Sequence, residues 1–122
     1  MKLVDSSLFI EALRERGAAD AKQRFHALLA AGEICWCGMV RVELWHGARG
    51  ALEKKMISDF EQVLPELDIT PEVWELACDL GRRARAKGLT VPNPDLLIEA
   101  VGRHHKVSVE AADAHFAELA KL

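Results

Sequence analysis

A chain of 122 residues, 50% of them hydrophobic, is long enough for one compact domain with a real core and too short for two. A formal net charge of -3 argues against a general nucleic-acid coat protein, which would carry an excess of Lys and Arg, but leaves room for an enzyme that is acidic at its centre. No apolar run reaches the roughly 18 to 20 residues of a bilayer span, and the start, MKLVDSSLFI, meets an acid too early for a signal sequence, so the chain reads as cytoplasmic, without a membrane partner.

In chain order, residues 2–4 form a short apolar strand ending at Asp5, after which Leu8, Phe9, Ala12 and Leu13 recur at helical spacing. Residues 20–31 make a second helix, with Phe25, Leu28 and Leu29 on its apolar side, stopped by Gly32. Residues 34–37 read as a strand. Its Cys35 and Cys37, like the distant Cys78, read as buried thiols. CWC lacks the C-x2-C spacing of a zinc site, and no second ligand pair accompanies it. Met39 to His46 turns helical and carries Arg41 and Glu43, residues 51–63 form another helix closed by Pro65, and ELDIT suits a third strand. Pro71 fits the first turn of a helix running to about residue 86. That helix ends in GRRARAKG, the densest basic stretch, where Arg82, Arg83, Arg85 and Lys87 suit a solvated helix end or RNA contact alike. VPNPDLLIEA opens a helix to about residue 104, a strand follows near 107–110, and a final helix begins at about Ala114. Strands and helices alternating in this way predict an α/β fold whose parallel sheet is covered by helices on both faces.

Asp95 has a simple reading, because Asp is among the best residues for capping a helix and Leu96, Leu97, Ile98 and Ala100 read as that helix. The topology supplies another. In open parallel sheets the functional crevice lies at the carboxyl ends of the strands. Asp5 ends the first strand, Glu43 lies near the start of the helix after the second, Asp95 opens a helix, and Asp113 follows the last strand. Capping accounts readily for Asp5, Asp95 and Asp113, but poorly for Glu43, which lies several residues beyond its candidate cap Gly38. Carboxylates gathered within a few ångströms repel unless protons or cations neutralise them. Hard oxygen ligands suit Mg2+ or Mn2+, ions that assist attack of water on a phosphodiester.

Four stretches, LVDSSLFIEAL, VRVELWHGAR, VPNPDLLIEAV and DAHF, are similar in order and spacing to motifs of the PIN-domain family, specifically its VapC-type ribonuclease toxins. The resemblance covers nearly the whole chain. It implies a three-layer α/β/α sandwich around a parallel sheet of four, possibly five, strands, forming a single domain over residues 1–122. It further implies a Mg2+- or Mn2+-dependent endoribonuclease, with Asp5, Glu43, Asp95 and Asp113 as catalytic and metal-binding residues. Ser7 would steady the Asp5 carboxylate or a metal-bound water, or else cap a helix. The partners implied are a VapB-type antitoxin, a tRNA or rRNA substrate and a second copy of the chain, with Leu44, Trp45 and the first two helices as apolar material for packing.

The chain departs from the family pattern at three places. His115 stands where many relatives carry a further acid and is a poorer Mg2+ ligand. Glu99 stands where many have Ala, one turn beyond Asp95, and reads as a solvated position. HFAELAKL falls where relatives often continue into a fifth strand. Two rival classes fit less well. A haloacid-dehalogenase phosphatase needs a second Asp where DSS has Ser7, and a receiver domain needs an acidic pair near the first strand and a Lys after a late one, whereas Lys106 precedes it. The alternative that stays open is a catalytically silent PIN-like domain that binds RNA or protein.

Overall fold

The computed structural model describes all 122 residues. Its elements are β1 (Lys2–Val4), α1 (Ser6–Leu13), α2 (Ala19–Ala30), β2 (Ile34–Cys37), α3 (Gly38–Gly47), α4 (Gly50–Val63), β3 (Glu66–Leu67), α5 (Pro71–Ala86), α6 (Asn93–His105), β4 (Ser108–Glu110) and α7 (His115–Leu119). The strands form one parallel sheet of four, ordered β3-β2-β1-β4. Parallel neighbours cannot be joined by tight hairpins, so each connection crosses over through helices, which cover the sheet.

Apart from Lys2 at the start of β1, the strands at the centre are apolar, as burial on both faces requires. Leu3 and Val4 in β1 and all four residues of β2 are buried. Trp36 stacks at a tilt on Phe9, which meets Phe25 and Phe60 edge-on with ring centroids 5.1 and 5.6 Å apart. On the other flank of β1, α6 approaches through Gly102. A Cβ there would lie 3.0 Å from both the Val107 carbonyl oxygen and Val109 Cγ2. The absence of a side chain thus lets the helix carrying Asp95 close onto the strand that precedes Asp113.

Some expectations need correction. Only Glu66 and Leu67 of ELDIT pair with β2, because the chain must leave the sheet for Thr70 to cap α5, where its hydroxyl accepts the Val73 N–H at 3.3 Å. Cys78 is exposed, on a face of α5 that the core does not reach, whereas Cys35 and Cys37 are buried. Leu29, at the end of α2, is exposed, while Phe25 is buried and Leu28 packs against the core. Leu44 is also core and not available for an interface, while Trp45 is 40% exposed. No helix is long and apolar enough to cross a membrane.

Candidate functional site

Asp5 is held from two sides by backbone. Its N–H donates to the Glu110 carbonyl at 2.9 Å, extending the pairing of β1 with β4 by one residue. Its Oδ2 accepts the Ser7 N–H at 3.0 Å, which caps α1 as the sequence suggests. Capping uses one oxygen only. The side chain is almost wholly enclosed, at 2% exposure, and Oδ1 has no hydrogen-bond partner.

Asp95 does not cap α6. The N-cap residue is Pro92, and Asp95 is the third residue of the helix. The prolines explain why: Pro94 in the first turn has no N–H, and the Asp95 N–H is already bound to the Pro92 carbonyl at 3.0 Å, so little remains for a cap to satisfy. Asp95, 6% exposed, instead places Oδ2 2.6 Å from Nδ1 of His115. Glu43 is the sixth residue of α3, beyond any capping role, and its Oε1 accepts the Ser6 hydroxyl at 3.2 Å. Asp113 sits in the loop between β4 and α7, where its Oδ1 accepts the His115 N–H at 3.0 Å. That loop is tied to α1 by Ser7, whose Oγ accepts the Ala112 N–H at 2.9 Å.

The electrostatics show that these side chains share one field. Burial is the main cause raising the Asp5 carboxyl above its ordinary pKa, with Asp113 adding repulsion. Glu43 is raised by burial and then by Asp5, Asp95 and Asp113, and Asp95 by burial, Asp5 and Asp113. Hydrogen bonds from Ser6, Ser7 and His115 oppose these shifts without reversing them. His115 is the only basic side chain within ion-pair distance of any of the four.

A divalent cation fits this donor set. The oxygens are hard, the buried Oδ1 of Asp5 lacks a partner, and Asp95, Asp113 and His115 can each bring a ligand atom within 4.8 Å of the others. The two buried thiols are held protonated, since burial pushes Cys35 up to about 11 and Cys37 up as well.

Two further residues differ from expectation. Glu99 is partly buried, not solvated, with its side chain only 12% exposed on a helix that packs against α3, α5, α7 and β4. Burial raises its pKa, its charged neighbour is Arg103 at 3.9 Å, and it does not act on the four acids. Ser7 bonds Asp5 as expected, but the hydroxyl that reaches Glu43 is that of Ser6, which the motif does not mark. Nothing in the run DSS distinguishes the two serines; only the direction in which α1 leaves the sheet does. A separate groove between α3, α5 and α6, lined by Met39, Trp74, Ala77, Gly81, Leu96 and Leu97, contains none of the acids.

Carboxylates without a Lys or Arg partner, gathered where parallel strands end between layers of helices, define a PIN-like protein. The chain belongs to the PIN-domain family, whose profile matches residues 2–122. It is 28% identical over 104 residues to Ribonuclease VapC21 of two Mycobacterium tuberculosis strains, a match spanning 83% of this chain and 75% of that protein. Among solved structures, FitAcB from Neisseria gonorrhoeae superposes with a TM-score of 0.74 at 16% identity, covering 100% of this chain and 94% of that one. VapBC-5 from Mycobacterium tuberculosis, of the VapBC family of toxin-antitoxin systems, superposes with a TM-score of 0.71 at 20% identity, covering 97% and 89%. A toxin-antitoxin complex from Klebsiella pneumoniae reaches 0.76 at 18% identity, covering 96% and 91%. These structural likenesses show the shared fold.

Proposed function

We propose that the protein is a Mg2+- or Mn2+-dependent endoribonuclease acting as the toxin of a toxin–antitoxin pair in the cytoplasm. The observation that carries this reading is Asp5, a buried carboxylate with one oxygen unpartnered, in the field of Glu43, Asp95 and Asp113 and away from any Lys or Arg. Support for the substrate and partner comes from the similarity to Ribonuclease VapC21 and from neighbours solved as toxin-antitoxin complexes.

In this reading Asp5, Glu43, Asp95 and Asp113 hold the cation, Ser6 orients Glu43, and Ser7 fixes the loop bearing Asp113. A bound divalent ion lowers the pKa of a water and offsets the charge of the scissile phosphate, so that water becomes a competent nucleophile near neutral pH. Burial of Asp5 and Asp95 keeps their oxygens from relaxing into bulk water, so the charge facing the substrate is fixed before RNA arrives. The same reading carries a VapB-type antitoxin, a second copy of the chain and a tRNA or rRNA substrate.

The test is cleavage of total cellular RNA by purified wild type and Asp95→Asn, each with Mg2+, Mn2+ or chelator. Discrete products from the wild type alone, dependent on added metal, are the expected result. Identical patterns from both proteins, or no cleavage of total RNA, tRNA or rRNA with any metal, would instead make this a silent binding domain.

A further inference from the structure

We infer that His115 is a direct ligand of the bound cation and that its nitrogen turns the site toward Mn2+ and against Mg2+. This rests on the proposed metal site and assigns one of its ligands. His115 opens α7, half exposed at 46%, with its ring against Asp95 and its backbone N–H on Asp113. Its Nδ1 lies 2.6 Å from Asp95 and 3.8 Å from Asp113, and the three residues have ligand atoms within 4.8 Å of one another. Asp5 lies outside this group of three but is close enough to raise the Asp95 carboxyl, and its buried Oδ1, which lacks a partner, is left free for a cation held there.

The contact of 2.6 Å between Nδ1 and Asp95 Oδ2 is a hydrogen bond, with one proton between two lone pairs. A cation placed there takes over the function of that proton. Two ligands of one ion about 2.1 Å from each stand about 3 Å apart, so the contact has to open by only a few tenths of an ångström. A half-exposed ring can make that movement without disturbing the core. Mg2+ prefers a near-octahedral shell of oxygens and dehydrates reluctantly, whereas imidazole suits transition ions. A carboxylate at this position would add negative charge and oxygen, favouring Mg2+. An imidazole adds neither.

The decisive measurement is pulsed electron paramagnetic resonance of Mn2+-loaded protein, with Mg2+ titrated against the Mn2+ signal. Wild type, His115→Asp and Asp5→Asn are compared. The expected result is imidazole nitrogen modulation in the wild type that disappears in His115→Asp. The variant should still bind Mn2+, with its preference for Mn2+ over Mg2+ reduced about tenfold. Mn2+ that binds wild type and is lost in Asp5→Asn, but shows no nitrogen modulation, would leave the metal site standing and overturn the role of His115. Modulation that persists in His115→Asp would overturn it as well, since the nitrogen would then belong to another histidine. Failure of the wild type to bind Mn2+ would remove the metal site itself, and this inference with it.

Discussion

Arg41 and Glu43 lie two residues apart on α3, about 200° apart around its axis, and look into two different acidic environments. On one side Arg41 reaches Glu61 of α4 at 2.7 Å and Glu66 of β3 at 3.0 Å, and the Trp45 indole N–H donates to the same Glu61 oxygen at 3.1 Å. These hydrogen bonds hold Glu61 below its ordinary pKa. On the other side Glu43 bonds Ser6 and feels the charge of three further carboxylates, and burial and repulsion hold Glu43, Asp5 and Asp95 above theirs. Folding alone explains the first cluster, where every acid has a cation. It does not explain the second, where charge is concentrated under cover with no Lys or Arg and only His115 beside it, and opposes the folded state. One helix thus carries a compensated ion-pair network on one face and, on the other, the carboxylate cluster to which the proposed function assigns the metal.

The sharpest way to break this comparison is Asp5→Asn. Asn caps a helix about as well as Asp, so α1 keeps its start while the centre loses one negative charge. RNA cleavage should fall at least about 100-fold, of the order seen when a preorganised electrostatic group is removed. The unfolding midpoint of the metal-free protein should stay level or rise. Retained cleavage together with a stability loss of more than about 1 kcal/mol, the usual cost of a lost cap, would make the second cluster structural after all.

Arg41→Met tests the other face. It leaves Glu61 and Glu66 without their cation, and since these side chains are partly exposed the loss should be about 0.5 to 1 kcal/mol by urea unfolding. Cleavage should stay within about twofold of wild type. A deep loss of cleavage with stability intact would move Arg41 from the ion-pair network into RNA binding.

pH separates the two clusters by sign. A carboxyl whose pKa is raised by folding binds its proton more tightly in the native state, so stability falls as pH rises from about 4 through the raised value. Asp5, Glu43 and Asp95 contribute in this direction. Glu61, lowered, does the opposite: its contribution is present above the ordinary Glu range and is lost as pH falls through the lowered value. Unfolding of metal-free protein between about pH 4 and 7 should therefore show a decline that Asp5→Asn makes shallower and saturating Mn2+ suppresses. An unchanged slope in Asp5→Asn would mean that this carboxyl titrates alike in both states.

Much of this arrangement was legible in the chain because the decisive signals are local. Short apolar runs, Leu3–Val4 and Ile34–Cys37, mark β1 and β2, and an acid at or just beyond a strand end marks Asp5 and Asp113. What escaped depends on contacts between distant segments. Asp95 read alone is a cap, and only the two prolines, by leaving few donors to satisfy, free it for His115, twenty residues further on. ELDIT has the composition of a full strand, yet pairing ends at Leu67 because Thr70 is needed at the start of α5. Glu99 has the helical position of a surface residue and is covered by neighbouring elements that no periodicity announces.

The smallest expected effect concerns Ser7, for which the sequence suggested contact with Asp5 or a metal-bound water. Its hydroxyl does act on Asp5, holding that carboxyl down against burial, and its oxygen also accepts the Ala112 N–H, joining the first turn of α1 to the loop that carries Asp113 and His115. Ser7→Ala removes that acceptor, but Ala112 lies at the surface, so water can take its place and the cost should be below about 1 kcal/mol. The loop would then hold Asp113 less firmly. Half-maximal cleavage should need a few-fold more Mn2+, with the maximal rate close to wild type, because the donor is still present once the ion has drawn the loop in. Ser6→Ala should behave differently, since Ser6 touches Glu43 and leaves the loop alone. A fall in the maximal rate of Ser7→Ala as deep as that of Asp5→Asn, at saturating Mn2+, would place the hydroxyl on the reacting groups and not on the loop.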